Sequence, residues 1–437
     1  MNTCMALTCL TCEEDIDCRI GYSNRRIQPL AFTCPHCDSS LGITLDISRA
    51  PASDFTYHGC KYSDKQSKGP FVGENPFIDL HLDFPVRAGE YVMGNTPFLM
   101  AISDIMQALD GDGDGDGDGQ KAHEMFQFHS FHLNILNTLC EKSEEIKRVI
   151  NLYLGKNKKL FQKRAAEFLE EPEVTSLLPE DVNATLYKVV SRAFLPFTVF
   201  AHSAEISKEM PKFMFELHPE KLIEFINQLF ESNFVTSLHR DVLKVYPRIL
   251  DAELSLRPAL FLDLTDNNGA AKAATRISAQ DFSSIKDLYK DIVEILSRQL
   301  VIVAGFNNLM HRHDANSFPE INGGKLSDLQ KYSTKNLSDK FKYLDDCWYK
   351  IELKAFNLDL RNAIAHNNIH YNGTEQNIAY TPNGGRLEQV AEQNMTFLQF
   401  MRDVLIAFRE MHNLNHVMKS IFYFKYLILD KRAKAGK

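Results

Sequence analysis

This chain of 437 residues has no run approaching about 18 apolar residues, and its first residues show no basic stretch followed by an apolar core and a cleavage site. The expected setting is therefore cytoplasmic, with no membrane partner. A basic excess is missing too: 49 Lys and Arg face 57 Asp and Glu, a net charge of -8, which offers nucleic acid no global attraction. Contact with RNA would need a local patch. Lys156, Lys158, Lys159, Lys163 and Arg164, or the tail residues Lys431, Arg432, Lys434 and Lys437, are the candidates, although a charge run serves equally as a solvated helix face. No Gly-rich loop ends in Lys-Ser or Lys-Thr, which excludes a P-loop ATP engine, and no Ser or Cys nucleophile elbow is present. Cysteine nearly disappears after residue 60, where only Cys140 and Cys347 remain, both in apolar stretches that predict burial.

What is there begins with the other seven of the nine cysteines, all within the first 60 residues. In a cytoplasmic chain such a concentration points to a metal rather than to disulfides. Cys9-x-x-Cys12 and Cys34-x-x-Cys37 form two knuckles 21 residues apart, and each sets two thiolates on a tight turn facing one tetrahedral zinc ion. Leu30 and Phe32 lead into the second knuckle with strand alternation, and Leu41, Ile43, Leu45 and Ile47 leave it the same way, so a zinc ribbon is expected. Cys4, Cys18, His36 and Cys60 are spare ligands, and a register using Cys18 or Cys60 stays open. Four thiolates leave no position for water, which makes Zn2+ structural here, whether or not the ribbon also senses a ligand.

Strand character continues toward residue 100. Ile78, Leu80, Leu82 and Phe84 alternate with polar residues up to Pro85, and Tyr91, Val92 and Met93 offer a partner strand. Five Asp-Gly repeats then run from Asp110 to Gly119. They bury nothing, repel one another and lose maximal backbone entropy on ordering, so they read as a linker. A calcium loop is excluded, because starts at Asp110, Asp112 or Asp114 put Lys121, His123 or Met125 where a bidentate carboxylate is required.

Beyond it the periodicity turns helical. Phe131, Ile135, Leu139, Ile146, Ile150 and Tyr153 predict one long helix stopped at Gly155; Leu222, Phe225, Ile226, Leu229 and Phe230 predict another behind Pro219. Pro196, Pro211, Pro247 and Pro258 are expected to punctuate neighbouring segments, and residues 264–274 to form a loop. Further helices are expected from near Ser284 through Val303, over roughly 336–358, over 387–405 and over 417–429. His311-Arg312-His313 could serve phosphate or metal only in a loop, since alternate residues on a helix diverge by about 200°. The 30 phenylalanines are core residues first and base-stacking platforms second.

The most informative stretch is Arg361-Asn362-Ala363-Ile364-Ala365-His366. Arginine grips phosphate through paired charge-assisted hydrogen bonds, and histidine both takes and gives protons near neutrality, so the trio suits phosphodiester cleavage without a metal. On a helix Asn362 and His366 share a face, while Arg361 lies about 140° from His366, close enough for a long side chain to reach around or for a second subunit to supply it. The plainer alternative is a surface arginine and a histidine at a helix end, where the macrodipole favours a cation.

Arg-polar-x-x-x-His, preceded by Phe341, Leu344, Trp348, Ile351, Ala355 and Leu358 at helical spacing and followed by Tyr371, resembles the active-site motif of the HEPN superfamily. The resemblance covers about the last third of the chain. It implies an up-and-down helical bundle, a homodimer whose paired motifs line one cleft, and an RNase of bacterial toxin or anti-phage systems. Catalytic roles fall on Arg361, Asn362 and His366, with RNA as substrate, no catalytic cofactor, and restraint by an antitoxin or a phage-derived regulator. The expected organisation is mainly α: a zinc ribbon at 1–50, a β-rich module at 51–109, the linker at 110–120, a helical middle domain at 121–263 and a HEPN-like domain at 281–437. A non-catalytic nucleic-acid sensor or adaptor on the same bundle is the alternative function; nucleotide transfer would need a partner enzyme.

Overall fold

The computed structural model describes residues 2–64, 73–87, 89–94, 96, 98–99, 118–264, 274–321, 323–382 and 391–431. It is mostly helical, with small sheets concentrated at the N-terminus. Two compact units emerge, each built from three stretches of chain: residues 1–140, 251–286 and 362–405 form the first, and 141–250, 287–361 and 406–437 the second.

In the first unit, strands β1 (Asn2–Cys9), β2 (Asp15–Gly21), β3 (Ile27–Thr33), β4 (Ser40–Asp46), β5 (Asp54–His58), β6 (Cys60–Tyr62) and β7 (Phe77–Leu80) make two sheets, ordered β6-β1-β2-β7 and β3-β4-β5. The alternation around the second knuckle holds: Leu30 pairs with Ile43 and Phe32 with Leu41, and all four are buried with Leu7, Ile16, Ile20 and Leu45 in one core. Strand period 2 sends these side chains to one face of the hairpin.

The expected strand after residue 76 is shorter than its apolar alternation. Phe77–Leu80 pairs parallel with β2 and not with residues 91–93. Past Leu80, His81 Nδ1 accepts hydrogen bonds from the Asp83 and Phe84 amides at 3.0 and 3.2 Å, so the backbone turns while Leu82 and Phe84 remain buried. Tyr91 instead supplies a ring to Arg19, whose guanidinium carbon lies 5.2 Å from its centroid and whose Nε and Nη2 hold Asp79 at 2.6 and 2.7 Å. Val86–Arg87 (β8) pairs with Ala274–Arg276 (β9). Residues 265–273, where a loop was expected, lie outside the described residues.

The Asp-Gly linker also lies outside them as far as residue 117, while Asp118 and Gly119 open the helix Asp118–Glu141. The long helix expected through Tyr153 is two helices. Lys142 leaves helical geometry, and Ser143–Leu154 restarts with Glu144 and Glu145 in a first turn where the macrodipole favours acids. Gly155 stops it as expected, its amide bonding Asn151 O at 3.0 Å. On the first of the two the core face is Leu133, Leu136 and Leu139; Phe131 is exposed.

The second unit is helical. Pro219–Glu231 buries Leu222, Phe225, Ile226 and Leu229 and carries proline at its first position, where the missing amide costs nothing. Pro211 and Pro247, like Pro258 in the first unit, lie inside helices that packing sustains and do not punctuate them, while Pro196 sits in a short 3-10 turn. The helix Phe282–Arg312 starts two residues before Ser284 and buries Ile285, Leu288, Ile292, Ile295, Leu296 and Val303. Among the described residues it alone is long and apolar enough to cross a bilayer, and 83% of its most apolar window is buried inside the chain, as in a core helix.

Three expected C-terminal helices are corrected. Over 336–357 only Leu337–Phe341 is α-helical, followed by turns and a 3-10 segment, Leu353–Phe356, and Leu358 opens the next helix. Tertiary bonds bend the chain here: Asn307 Nδ2 donates to Asp345 O at 2.9 Å, Asp346 adopts φ 38°, and Trp348 Nε1 donates to Val303 O at 3.1 Å. The pair expected at 387–405 and 417–429 is one continuous helix, Phe397–Tyr423, widening into a π turn over Phe424–Leu429. Before it runs an antiparallel sheet of Ile369–Asn372, Asn377–Tyr380 and Gln393–Thr396, which takes up Tyr371 and Met395; residues 383–390 lie outside the described residues.

Candidate functional site

The two cysteine knuckles are near-copies. In each, the first cysteine's carbonyl accepts the amide four residues on (Glu13 to Cys9 and Asp38 to Cys34, both 3.0 Å), and its own amide bonds the carbonyl five residues on (Glu14 at 3.0 Å, Ser39 at 2.9 Å). Glu13 and Asp38 take left-handed backbone, with φ of 62° and 59°. The turns thus close tightly enough to aim both thiols of each pair inward.

The Sγ atoms of Cys9, Cys12, Cys34 and Cys37 all lie within 4.8 Å of one another, with Cys9 to Cys37 and Cys12 to Cys34 both at 3.8 Å. A tetrahedron with zinc–sulfur bonds of about 2.3 Å has edges of about 3.8 Å, so the donor set fits zinc in type, number and spacing. Ser39 beside Cys37 pulls that thiol down to about 6, and burial pushes Cys34 up to about 12. The open registers are thereby narrowed: Cys18 is buried in β2, Cys60 stands opposite Cys9 in strand pairing, Cys4 is exposed, and His36 Nε2 faces Asp15 O at 3.2 Å. Cys140 and Cys347 are half-buried.

The Arg-Asn-x-x-x-His segment lies on a short helix, Leu358–Ala365. Asn357 starts it: its Oδ1 accepts the Leu360 amide at 3.1 Å, satisfying one of the donors a helix leaves open at its first turn. Leu360, Ala363 and Ile364 anchor the buried side. The His366 amide bonds Asn362 O at 3.1 Å, so the expected four-residue spacing and shared face hold at the backbone. Asn367, at φ 57°, ends the helix in left-handed geometry, and the Asn368 amide bonds back to Ala363 O at 2.8 Å, a Schellman-type closure. His366 is exposed at this end. Arg361 is half-buried and directs Nε and Nη2 onto one oxygen of Glu294, Nε at 3.1 Å.

Glu294 is the residue that sequence reading missed, because an acid on a helix of alternating apolar and charged residues carries no local signal. Asn357 was missed as well, and the signal that finds it is an asparagine N-cap ahead of Leu-Asp-Leu. Tyr371 stacks on Phe282 at 4.7 Å with its hydroxyl buried and without a hydrogen-bond partner, and burial pushes it up to about 12. Elsewhere, Arg312 pairs with Asp345 and His311 Nε2 lies 3.1 Å from Asp346 O, while His313 ends the helix at φ 55°; that trio braces the bent segment. In the basic run, Lys158 folds over the Tyr153 ring at 4.4 Å and Arg164 pairs with Glu167 at 2.6 Å, which leaves Lys156, Lys159 and Lys163 exposed. Of the basic tail only Lys431 is described, 3.7 Å from Glu180.

Comparison with protein-family models, curated proteins and solved structures finds no match.

Proposed function

We propose that this chain is a metal-independent endoribonuclease of the HEPN type, carried with a structural zinc ribbon formed by Cys9, Cys12, Cys34 and Cys37. The observation that carries the reading is the capped helix on which Asn362 and an exposed His366 stand one turn apart, with Arg361 on the same helix. In this mechanism the RNA 2'-hydroxyl loses its proton and attacks the adjacent phosphorus, the bond from phosphorus to the 5'-oxygen breaks, and that oxygen leaves as a protonated 5'-hydroxyl end; water opening the resulting cyclic phosphate gives the 3'-phosphate. His366 transfers the protons, Arg361 stabilises the charge building on the phosphoryl oxygens, and Asn362 orients the phosphate. The products carry 2',3'-cyclic phosphate or 3'-phosphate ends. Arg361 exchanges Glu294 for phosphate at small cost, since ion pairs of this exposure contribute about 0–1 kcal/mol.

The HEPN-like bundle, pairing of two subunits around the motif, a cytoplasmic bacterial toxin or abortive-infection role, and restraint by an antitoxin or phage-derived regulator all belong to this reading through the resemblance. The alternative is a bundle in which the motif grips nucleic acid without cutting it. Sequencing RNA 3'-ends after induced expression separates the two, because only the nuclease creates new ends at defined positions. Unchanged RNA ends together with RNA binding would favour the adaptor.

A further inference from the structure

One cavity of the second unit is unrelated to either site. It measures about 360 Å³ and lies between the helix Phe200–Glu216 and the last turns of Phe397–Tyr423 with its π extension. That volume falls within the range of small-molecule sites, about 300–1,000 Å³. Its apolar wall is Pro211, Met214, Phe215, Phe424, Leu427 and Ile428. Phe215 is 69% exposed and Leu427 39%, so apolar surface continues to the rim. The wall is irregular for a reason: the π turn adds a residue to each turn of the helix, and such turns commonly mark functional sites.

The same cavity is lined by one cation, Lys419. Its ammonium stands over the rings of Tyr187 and Tyr423, 5.5 and 5.9 Å from their centroids, and among the described residues it has no carboxylate partner. Desolvation alone lowers its pKa, with no acid acting against it. A half-buried cation without a counter-ion is costly unless something anionic completes it. A second polar feature stands behind the wall. Ser207, which lines the cavity, is 3.1 Å from His416 Nδ1, and the other imidazole nitrogen, Nε2, is buried with no hydrogen-bond partner.

We propose that this cavity binds a small amphipathic anion, an acyl or flat apolar body seated on Met214, Phe215, Phe424 and Leu427 with its carboxylate or phosphate paired to Lys419. The head group and the body are recognised separately, which makes the site testable without knowing the natural ligand.

The test is calorimetric titration of the full chain with decanoate, decyl phosphate, decanol and inorganic phosphate, each below its aggregation concentration. Saturable one-to-one binding of decanoate or decyl phosphate is expected, at least tenfold tighter than decanol, with inorganic phosphate alone not binding; the tighter of the two anions identifies the head group. Lys419→Met should erase the preference over decanol, and Lys419→Arg should keep it, so a poorly folded Met variant does not end the test. Phe215→Ala, at an exposed position, should weaken both anion and alcohol. Equal affinity for decanoate, decyl phosphate and decanol, or an undiminished preference in Lys419→Met, overturns the proposal. So does a concentration-dependent dimer abolished by Phe215→Asp in a protein that binds none of the probes, since the face would then be covered by a second copy.

Discussion

In the first unit two buried arginines stand in opposed charged sets, whereas in the second a chain of buried rings and amides is joined by hydrogen bonds. Arg257, fully buried, holds Asp83 at 2.7 Å, pairs with Glu253, and donates to Asn137 Oδ1 at 2.8 Å; Arg19 and Asp79 form a second buried pair, and four thiols converge nearby in sequence. In the second unit Tyr187 donates to Asn415 Oδ1 at 3.1 Å, Asn415 Nδ2 donates to Tyr246 at 3.0 Å, and the Tyr246 hydroxyl shares a hydrogen bond of 2.9 Å with His412 Nδ1. Both arrangements satisfy groups that would otherwise be stranded. They differ in what breaks them. A charged set fails when one member is removed, because its partners stay buried without compensation; a neutral network fails when one of its members gains a proton.

Removing a thiolate should have the largest effect. The protein should carry about one zinc per chain, and Cys34→Ser should lose it together with the solubility of the first unit, because the hairpin core is built around the knuckles. Elemental analysis and solubility of the purified variant check this; a folded wild-type protein free of metal contradicts it. Next comes Arg257→Met, which leaves Asp83 buried without its cation and Glu253 with Arg25 alone, and should destabilise the chain by about 3–5 kcal/mol in denaturant unfolding.

Acid is the third probe and weighs on the neutral network. Burial holds His239 and His412 down to about 3 and His416 to about 2, against two similar imidazoles in the first unit, His81 and His129, each at about 4. The unfolded chain protonates near 6.5 while the folded chain does not, so this stability is fully present above pH 6.5 and is lost as pH falls toward the folded values. Each imidazole removes up to about 1.4 kcal/mol per pH unit in that window. Unfolding monitored by the Trp348 fluorescence of the second unit should therefore weaken between pH 6.5 and 4.5, and His239→Gln should flatten the slope; a pH-independent midpoint over that range contradicts the burial account.

How much of this was legible follows from how local each signal is. The knuckles could be read because cysteine identity, spacing and flanking strand alternation all lie within a few residues, and the structure brings the four thiols together as that pattern requires. The Asn362 to His366 spacing is likewise local. The break in the helix expected over 336–358 was not, because the groups that bend it, Asn307 and Val303, lie some forty residues earlier in the chain. The start of the helix expected from 387 was misplaced because Met395, whose apolar side chain fits helical spacing, belongs to a strand. Glu294 illustrates the same limit within the site: only tertiary geometry sets it against Arg361.

The central claim rests on His366. Purified wild-type protein, in EDTA at a level that leaves its zinc content unchanged, should cut RNA to 2',3'-cyclic or 3'-phosphate ends, and His366→Ala should abolish cleavage while helix content and melting temperature stay within experimental error. Arg361→Ala should also be inactive but bind RNA more weakly and with a shallower salt dependence, since it removes a phosphate contact. Full EDTA-resistant cleavage by purified His366→Ala would contradict the mechanism outright.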